Sequence, residues 1–229
     1  MSEIIPTSSI TIENAVLALS LSTALLYGVK VHSPPSYTRM ITKTTSTALL
    51  SALSSLRGGP PLLATALALG ATGDAFLAWD GDAAFLGGLG SFLVAHVLYI
   101  FLFAGTGDGV AQLLAEGWRV ATALGLTVVF APTMVALLMP RVARDMRAPI
   151  LVYITAIVVM VLAALTMGEK GWVVLGAVLF TASDGILSAE KFIVSIKSAH
   201  RRWMPYAVWA LYYAGQLLIA LGFSSGKAV

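Results

Sequence analysis

The sequence predicts an all-α integral membrane protein, a multi-pass bundle of about eight transmembrane helices. Three observations carry that prediction. Of 229 residues, 58% are hydrophobic and 11% charged, against roughly 45–50% and about 25% in soluble domains, and the mean hydropathy is +0.88. The apolar residues fall into runs of about 20, the length that crosses a bilayer. The separators between runs are short and turn-like. Such a composition cannot coat a water-soluble particle, which excludes a soluble enzyme, a nucleic-acid module and a disordered chain. The net charge of +3 comes from scattered Lys and Arg, better read as membrane topology than as a nucleic-acid surface.

The first run, 10–29, has no basic segment ahead of it, and Glu3 and Glu13 flank its start. It is therefore expected to be a mature span rather than a signal peptide. The second, 38–56, is rich in Ser and Thr and carries Arg39 and Lys43. It counts as a span because its hydroxyls can bond back to helix carbonyls and no Pro or Gly interrupts it. The third, 61–80, follows Gly58-Gly59-Pro60-Pro61, and the fourth, 83–105, follows the connection holding Asp80 and Asp82. The fifth, 118–139, comes after the glycine-rich Gly105-Thr106-Gly107-Asp108-Gly109 and contains Pro132. The sixth, 148–168, and seventh, 171–190, flank Gly168-Glu169-Lys170-Gly171, and the eighth covers 205–223. No linker is long enough to divide domains, so 1–229 reads as one transmembrane domain. Cysteine is absent, which removes disulfides, thiolate sites and a Cys nucleophile.

The basic residues are unevenly placed. Lys30, Arg39, Arg141, Arg144, Arg147, Lys197, Arg201 and Arg202 lie in or beside the connections after runs one, five and seven. Arg57, Arg119, Lys170 and Lys227 fall on the other side. The positive-inside rule then predicts a cytosolic first face and both termini outside. The membrane would be the endoplasmic reticulum in a eukaryote or the inner membrane in a bacterium.

Ionisable groups within spans cost about 2.5–3.5 kcal/mol each on insertion scales, so those present are informative. They are Asp74, Asp184, Lys43 and His96, with Tyr99, Tyr153, Tyr212 and Gln216 as further large polar groups. At about 1.5 Å of rise per residue, Asp74, Asp184, Lys43, Tyr153 and Tyr212 are expected in one polar layer, roughly 9 Å inside one membrane face. His96 and Tyr99 are expected deeper. Thr181, Asp184, Ser188 and Lys191 share one helix face, as do Phe92, His96 and Tyr99, and Tyr212 and Gln216. Each group also has a structural reading. An Asp can pair with Lys43 or an Arg, His96 can bond between helices, and the tyrosines can be packing aromatics. The Gly88-Leu89-Gly90 stretch reads as helix packing, since no strand precedes it. His96 is the lone histidine within a run, so an all-His zinc site cannot be built. An Asp–Asp–His set meets a depth mismatch of about 10 Å. No metal and no cofactor are expected.

Taken in order, these residues resemble the YhhN family, which includes transmembrane lysoplasmalogenases. The first block is Gly73-Asp74-Ala75-Phe76-Leu77, followed by Phe85, Gly87 or Gly88, Phe92, His96 and Tyr99. Leu179-Phe180-Thr181-Ala182-Ser183-Asp184 with Lys191-Phe192 resembles the family's second aspartate motif. Tyr212-Tyr213-Ala214-Gly215-Gln216 resembles its last-helix pattern. The similarity runs from about Lys43 to Leu221. One departure is that Lys43 is followed by Thr44, where the family often has Lys-Pro.

The resemblance implies a membrane hydrolase that cleaves the sn-1 vinyl ether of lysoplasmalogen, releasing a fatty aldehyde and glycerophosphocholine or glycerophosphoethanolamine. That chemistry needs a proton donor, an anion facing the developing cation, and water. Two carboxyls in a low-dielectric site can divide the first two tasks, because burial and mutual repulsion favour a proton on one of them. Asp74 and Asp184 are the expected catalytic pair, in unassigned roles. Lys43 would hold one of them ionised or meet the phosphate. Tyr153, Tyr212 and Gln216 would position water and glycerol oxygens, and His96 and Tyr99 would support them or relay protons. The expected partners are the lysophospholipid and the bilayer, with no nucleic acid and an unassigned oligomeric state. The alternatives are a small multi-pass transporter or a lipid-binding membrane protein without hydrolase activity.

Overall fold

The computed structural model describes residues 7–224, which leaves Glu3 and Lys227 outside the described residues. The chain is a multi-pass helical membrane protein, and no strand occurs among the described residues. Helix α1 is Thr7–Lys30 and α2 is Tyr37–Leu56, whose N-cap Ser36 accepts from the Arg39 amide. Helix α3, Pro61–Leu77, starts with a proline in its first turn, where the missing N–H costs nothing. Gly81, at φ +104°, makes the left-handed turn before α4, Asp82–Thr106. After the short α5, Val110–Ala115, the fifth run is α6, Gly117–Leu124, a π-helical turn Gly125–Phe130, and α7, Ala131–Leu138. The π turn immediately precedes Pro132. That residue has no N–H to give and its ring crowds the preceding turn, so the backbone widens there. Helices α8, Arg144–Ala164, α9, Gly171–Phe192, and α10, Met204–Ser224, complete the chain, with a 3-10 turn Ala199–Arg202 ahead of α10.

All eight expected runs are helical, with shifted ends. The sixth begins at Arg144 rather than 148 and stops at Ala164 rather than 168. Pro149 lies in the second turn of α8, where it gives up the helical bond to the Asp145 carbonyl, and at the other end the Arg119 guanidinium draws off the Leu165, Met167 and Gly168 carbonyls. Among the described residues, six helical runs are long and apolar enough to cross a membrane: α1, α4, α6 to α7, α8, α9 and α10. Helix α3 is a shorter apolar helix, and α2 is long enough but more polar. Most hydroxyls of α2 are handled within the bundle, while Thr44 Oγ1 and Ser54 Oγ are buried with no hydrogen-bond partner among the described residues. Ser46 and Thr42 bond back to carbonyls of their own helix, Ser51 reaches Ala64 O on α3, and Ser46, Thr47 and Ser54 are buried.

The outer surface is apolar, as a lipid-facing surface must be. Leu25 and Val29 on α1 are 74% and 83% exposed, and Val128 and Val129 on the π turn are also bare. Inside, α9 packs on α10, α3 on α2 and α4, and α4 on α8, around Phe92, Tyr99, Phe103 and Phe180. Small residues set the close approaches. A Cβ on Gly88 would fall 2.6 Å from Leu77, so Gly88 packs α4 on α3, whereas a Cβ on Gly90 would meet nothing within 4 Å.

Candidate active site

Two carboxylates are buried in the bundle, each within its own set of partners. Asp74, at the end of α3, is 1% exposed. Lys43 on α2 places Nζ 3.3 Å from its Oδ1. Thr47, one turn further along α2, donates to Oδ2 at 2.8 Å, and Tyr212 Oη on α10 donates to the same oxygen at 2.8 Å. Asp184, in the last third of α9, accepts from Tyr153 Oη of α8 at 2.9 Å and has His96 Nε2 of α4 at 3.6 Å, both on Oδ2. His96 Nδ1 is 2.6 Å from the Phe92 carbonyl one turn earlier.

The expected layer of Lys43, Asp74, Tyr153, Asp184 and Tyr212 thus forms as two clusters, Lys43–Asp74–Tyr212 and Tyr153–Asp184. His96 corrects the expectation that placed it deeper. It belongs to the Asp184 cluster, and the depth mismatch held against an Asp–Asp–His grouping does not exist for that pair. The reason is side-chain direction. Cα–Cβ bonds tilt toward a helix's own N-terminus. Helix α4 begins at the face where α9 ends, so His96 leans up and Asp184 leans down. Even so, Asp74 and Asp184 share no hydrogen-bond partner among the described residues. No three His, Asp or Glu side chains among them are grouped to hold a metal ion.

Aromatic rings stand between the two clusters. Phe92 meets Tyr212 edge-on at 5.6 Å and Phe180 at 6.0 Å, while Phe180 lies 4.7 Å from the His96 ring. Gly73 makes room for Phe92, since a Cβ there would come within 2.6 Å of its ring. Tyr99 and Gln216 were expected at the site but pair with each other at 2.6 Å, both wholly buried. Neither lines the cavity described next. Tyr213 turns away to Ser20 on α1.

A cavity of about 650 Å³ reaches both carboxylates. Its mouth is formed by His32, Ser33, Asp80 and Ile196, in the connections after α1, α3 and α9, so it opens on a single membrane face. Arg39, Lys191, Glu190 and Arg201 add charge to its wall. A narrow apolar pocket of about 50 Å³, with Leu89, Met134, Ile154 and Ile157, adjoins it. Leu77, Phe92, Asp184 and Leu187 line both spaces. Thr47 is the hydrogen-bonding neighbour of Asp74 that sequence reasoning missed. Its four-residue spacing from Lys43 was the available signal, masked by the many other hydroxyls of α2.

The YhhN family model matches residues 38–223. Among curated proteins, the chain is 34% identical over 166 residues to the human protein named Lysoplasmalogenase TMEM86B, covering 72% of this chain and 64% of that one. It is 34% identical over 172 residues to a Mycobacterium bovis protein named Lysoplasmalogenase, covering 73% and 62%. It is 30% identical over 167 residues to the bovine protein named Lysoplasmalogenase TMEM86A, covering 68% and 62%. The matched part thus spans a little under two thirds of the length of these relatives. No solved structure matches the chain.

Proposed function

The chain belongs to the YhhN family, and from that membership we propose that it is a lysoplasmalogenase. It hydrolyses the sn-1 vinyl ether of a lysoplasmalogen to a fatty aldehyde and a glycerophospho-choline or -ethanolamine. The observation that carries this reading is a cavity open at one membrane face that ends on two buried carboxylates with unlike partners. An amphiphile with one chain can enter such a space from the lipid–water boundary with its polar end toward the mouth. The named relatives support the same reaction.

The chemistry divides between the two carboxyls. One delivers a proton to the alkene carbon that does not bear oxygen, leaving an oxocarbenium ion on the other. The second stays anionic and stabilises that cation in a site of low dielectric. Water adds to the cationic carbon and gives up a proton, which restores the acid. The hemiacetal then breaks its bond to the glycerol oxygen, which takes the hydroxyl proton, and the aldehyde leaves. Lys43 keeps Asp74 in place, and the charged wall residues suit a zwitterionic headgroup. The cytosolic assignment of the cavity face, and the endoplasmic reticulum or bacterial inner membrane as location, belong to the same proposal.

The test is aldehyde release from lysoplasmalogen by the protein purified in detergent. Asp74→Asn and Asp184→Asn should each lower turnover by about 10²-fold or more, with the protein still inserted and monodisperse. No aldehyde from the wild type, or near wild-type turnover in both variants, would overturn the reading.

A further inference from the structure

The two carboxylates differ in what they can do with a proton. His96 Nδ1 lies 2.6 Å from the Phe92 carbonyl. A carbonyl only accepts, so that nitrogen carries a hydrogen, and in a neutral imidazole Nε2 is then a bare acceptor. Nε2 is wholly buried, has no hydrogen-bond partner and faces Asp184 Oδ2 at 3.6 Å. Two acceptors facing each other repel, and a single proton between them removes the conflict. An imidazolium–carboxylate pair would bury two charges here, whereas a neutral acid beside a neutral imidazole buries none. The 3.6 Å spacing exceeds an ordinary hydrogen bond, a looseness common in catalytic contacts before substrate binds.

Asp74 has the opposite surroundings. The Lys43 ammonium faces its Oδ1, and the Thr47 and Tyr212 hydroxyls both donate to Oδ2. Three donors converge on it, one of them a cation, and no bare acceptor such as an imidazole nitrogen faces it among the described residues. The cavities make an independent distinction. Asp74 lines the polar chamber alone, whereas Asp184 sits where that chamber meets the apolar pocket. In a vinyl-ether lipid the reacting carbons lie where the polar glycerol joins the apolar chain.

We propose that Asp184 is the proton donor, held as the neutral acid against His96, and that Asp74 is the standing anion. Only the use to which the proton is put rests on the vinyl-ether reading. Asp184 gives its proton to the alkene carbon. The proton released by the attacking water returns to the Asp184 carboxylate, and His96, as the positioning residue, receives the hydrogen bond of the restored acid at Nε2. Besides His96 and Tyr153, the ionisable side chains sharing the chamber with Asp184 are Asp74 and Lys43, which neutralise each other, Tyr27 and Tyr212, Arg39, Glu190, Lys191 and Arg201 at the wall, and His32 and Asp80 at the mouth.

Infrared spectroscopy of the purified protein reads this directly, through the C=O stretch of a protonated carboxylic acid and its shift in heavy water. At neutral pH that band should be present in the wild type, retained in Asp74→Asn and lost in Asp184→Asn. In His96→Phe it should move, because the acid has lost its acceptor, which a purely structural role for His96 would not produce. Should Asp184→Asn fail to fold, the band that persists in Asp74→Asn and moves in His96→Phe still identifies the acid. Absence of the band from the wild type, or its loss in Asp74→Asn with retention in Asp184→Asn, overturns the assignment. Absence of aldehyde release would overturn the vinyl-ether reading and leave the band untouched.

Discussion

Gly176 on α9 and Gly215 on α10 cross backbone to backbone. A Cβ on Gly176 would lie 2.7 Å from the Gly215 carbonyl oxygen, and one on Gly215 would lie 2.8 Å from that of Gly176. This crossing sets the spacing between the helix that carries Asp184 and the helix that carries Tyr212. Both close atoms are backbone, so no rotamer can relieve the clash. Gly215→Ala is expected to cost about 1–3 kcal/mol through forced helix separation, seen as a lower melting temperature in detergent. Gly215→Val should also abolish aldehyde release.

Lys43 and Asp74 form a buried ion pair whose halves depend on each other. Lys43→Met leaves the Asp74 charge without its cation and should destabilise by about 3–5 kcal/mol. The double variant Lys43→Met with Asp74→Asn should regain much of that stability and none of the turnover. Thermal unfolding of the single and double variants measures the coupling. A loss in the double variant equal to the sum of the two single losses would show that the pair contributes nothing as a unit.

Arg119 offers a contrast at the opposite face. It is 2% exposed and donates to the Leu165, Met167 and Gly168 carbonyls, tying α6 to the end of α8. Arg119→Ala should cost about 2–3 kcal/mol by leaving those carbonyls unpaired. Turnover per folded molecule should hold, because the residue is remote from the cavity. A changed KM for the lysolipid would contradict that separation.

The topology can be read with single cysteines, since the chain has none of its own. Glu169 and Ser195 are exposed in connections on opposite faces. In intact cells an impermeant maleimide should label Glu169→Cys and spare Ser195→Cys until the membrane is broken. The reverse pattern would place the cavity mouth on the outer side.

The positions of the apolar helical runs and the identity of the polar residues were legible in the sequence because both follow from one-dimensional quantities. A span of about 20 apolar residues is a length, and a carboxylate within it is conspicuous by cost. Asp74, Asp184, Lys43, Tyr153 and Tyr212 were found on that basis. Depth was less legible. Helix α3 stops at Leu77 while α9 runs on to Phe192, so residues equally far from their helix ends need not lie equally deep. His96 was misplaced for that reason and for the lean of its side chain. Thr47 was hidden among hydroxyls that satisfy their own helix.

Composition and periodicity alone establish that this chain lives in a bilayer, where its apolar runs form helices and which few charges it hides there. They leave open the partner of each charge. Pairing Asp74 with Lys43 and Tyr212, Asp184 with His96 and Tyr153, and Tyr99 with Gln216 depends on how helices distant in sequence rotate and approach. Those rotations are set by glycine contacts such as Gly176 with Gly215 and by ring packing around Phe92 and Phe180. A one-dimensional pattern carries no record of such contacts between helices, and the difference between the two aspartates arises there.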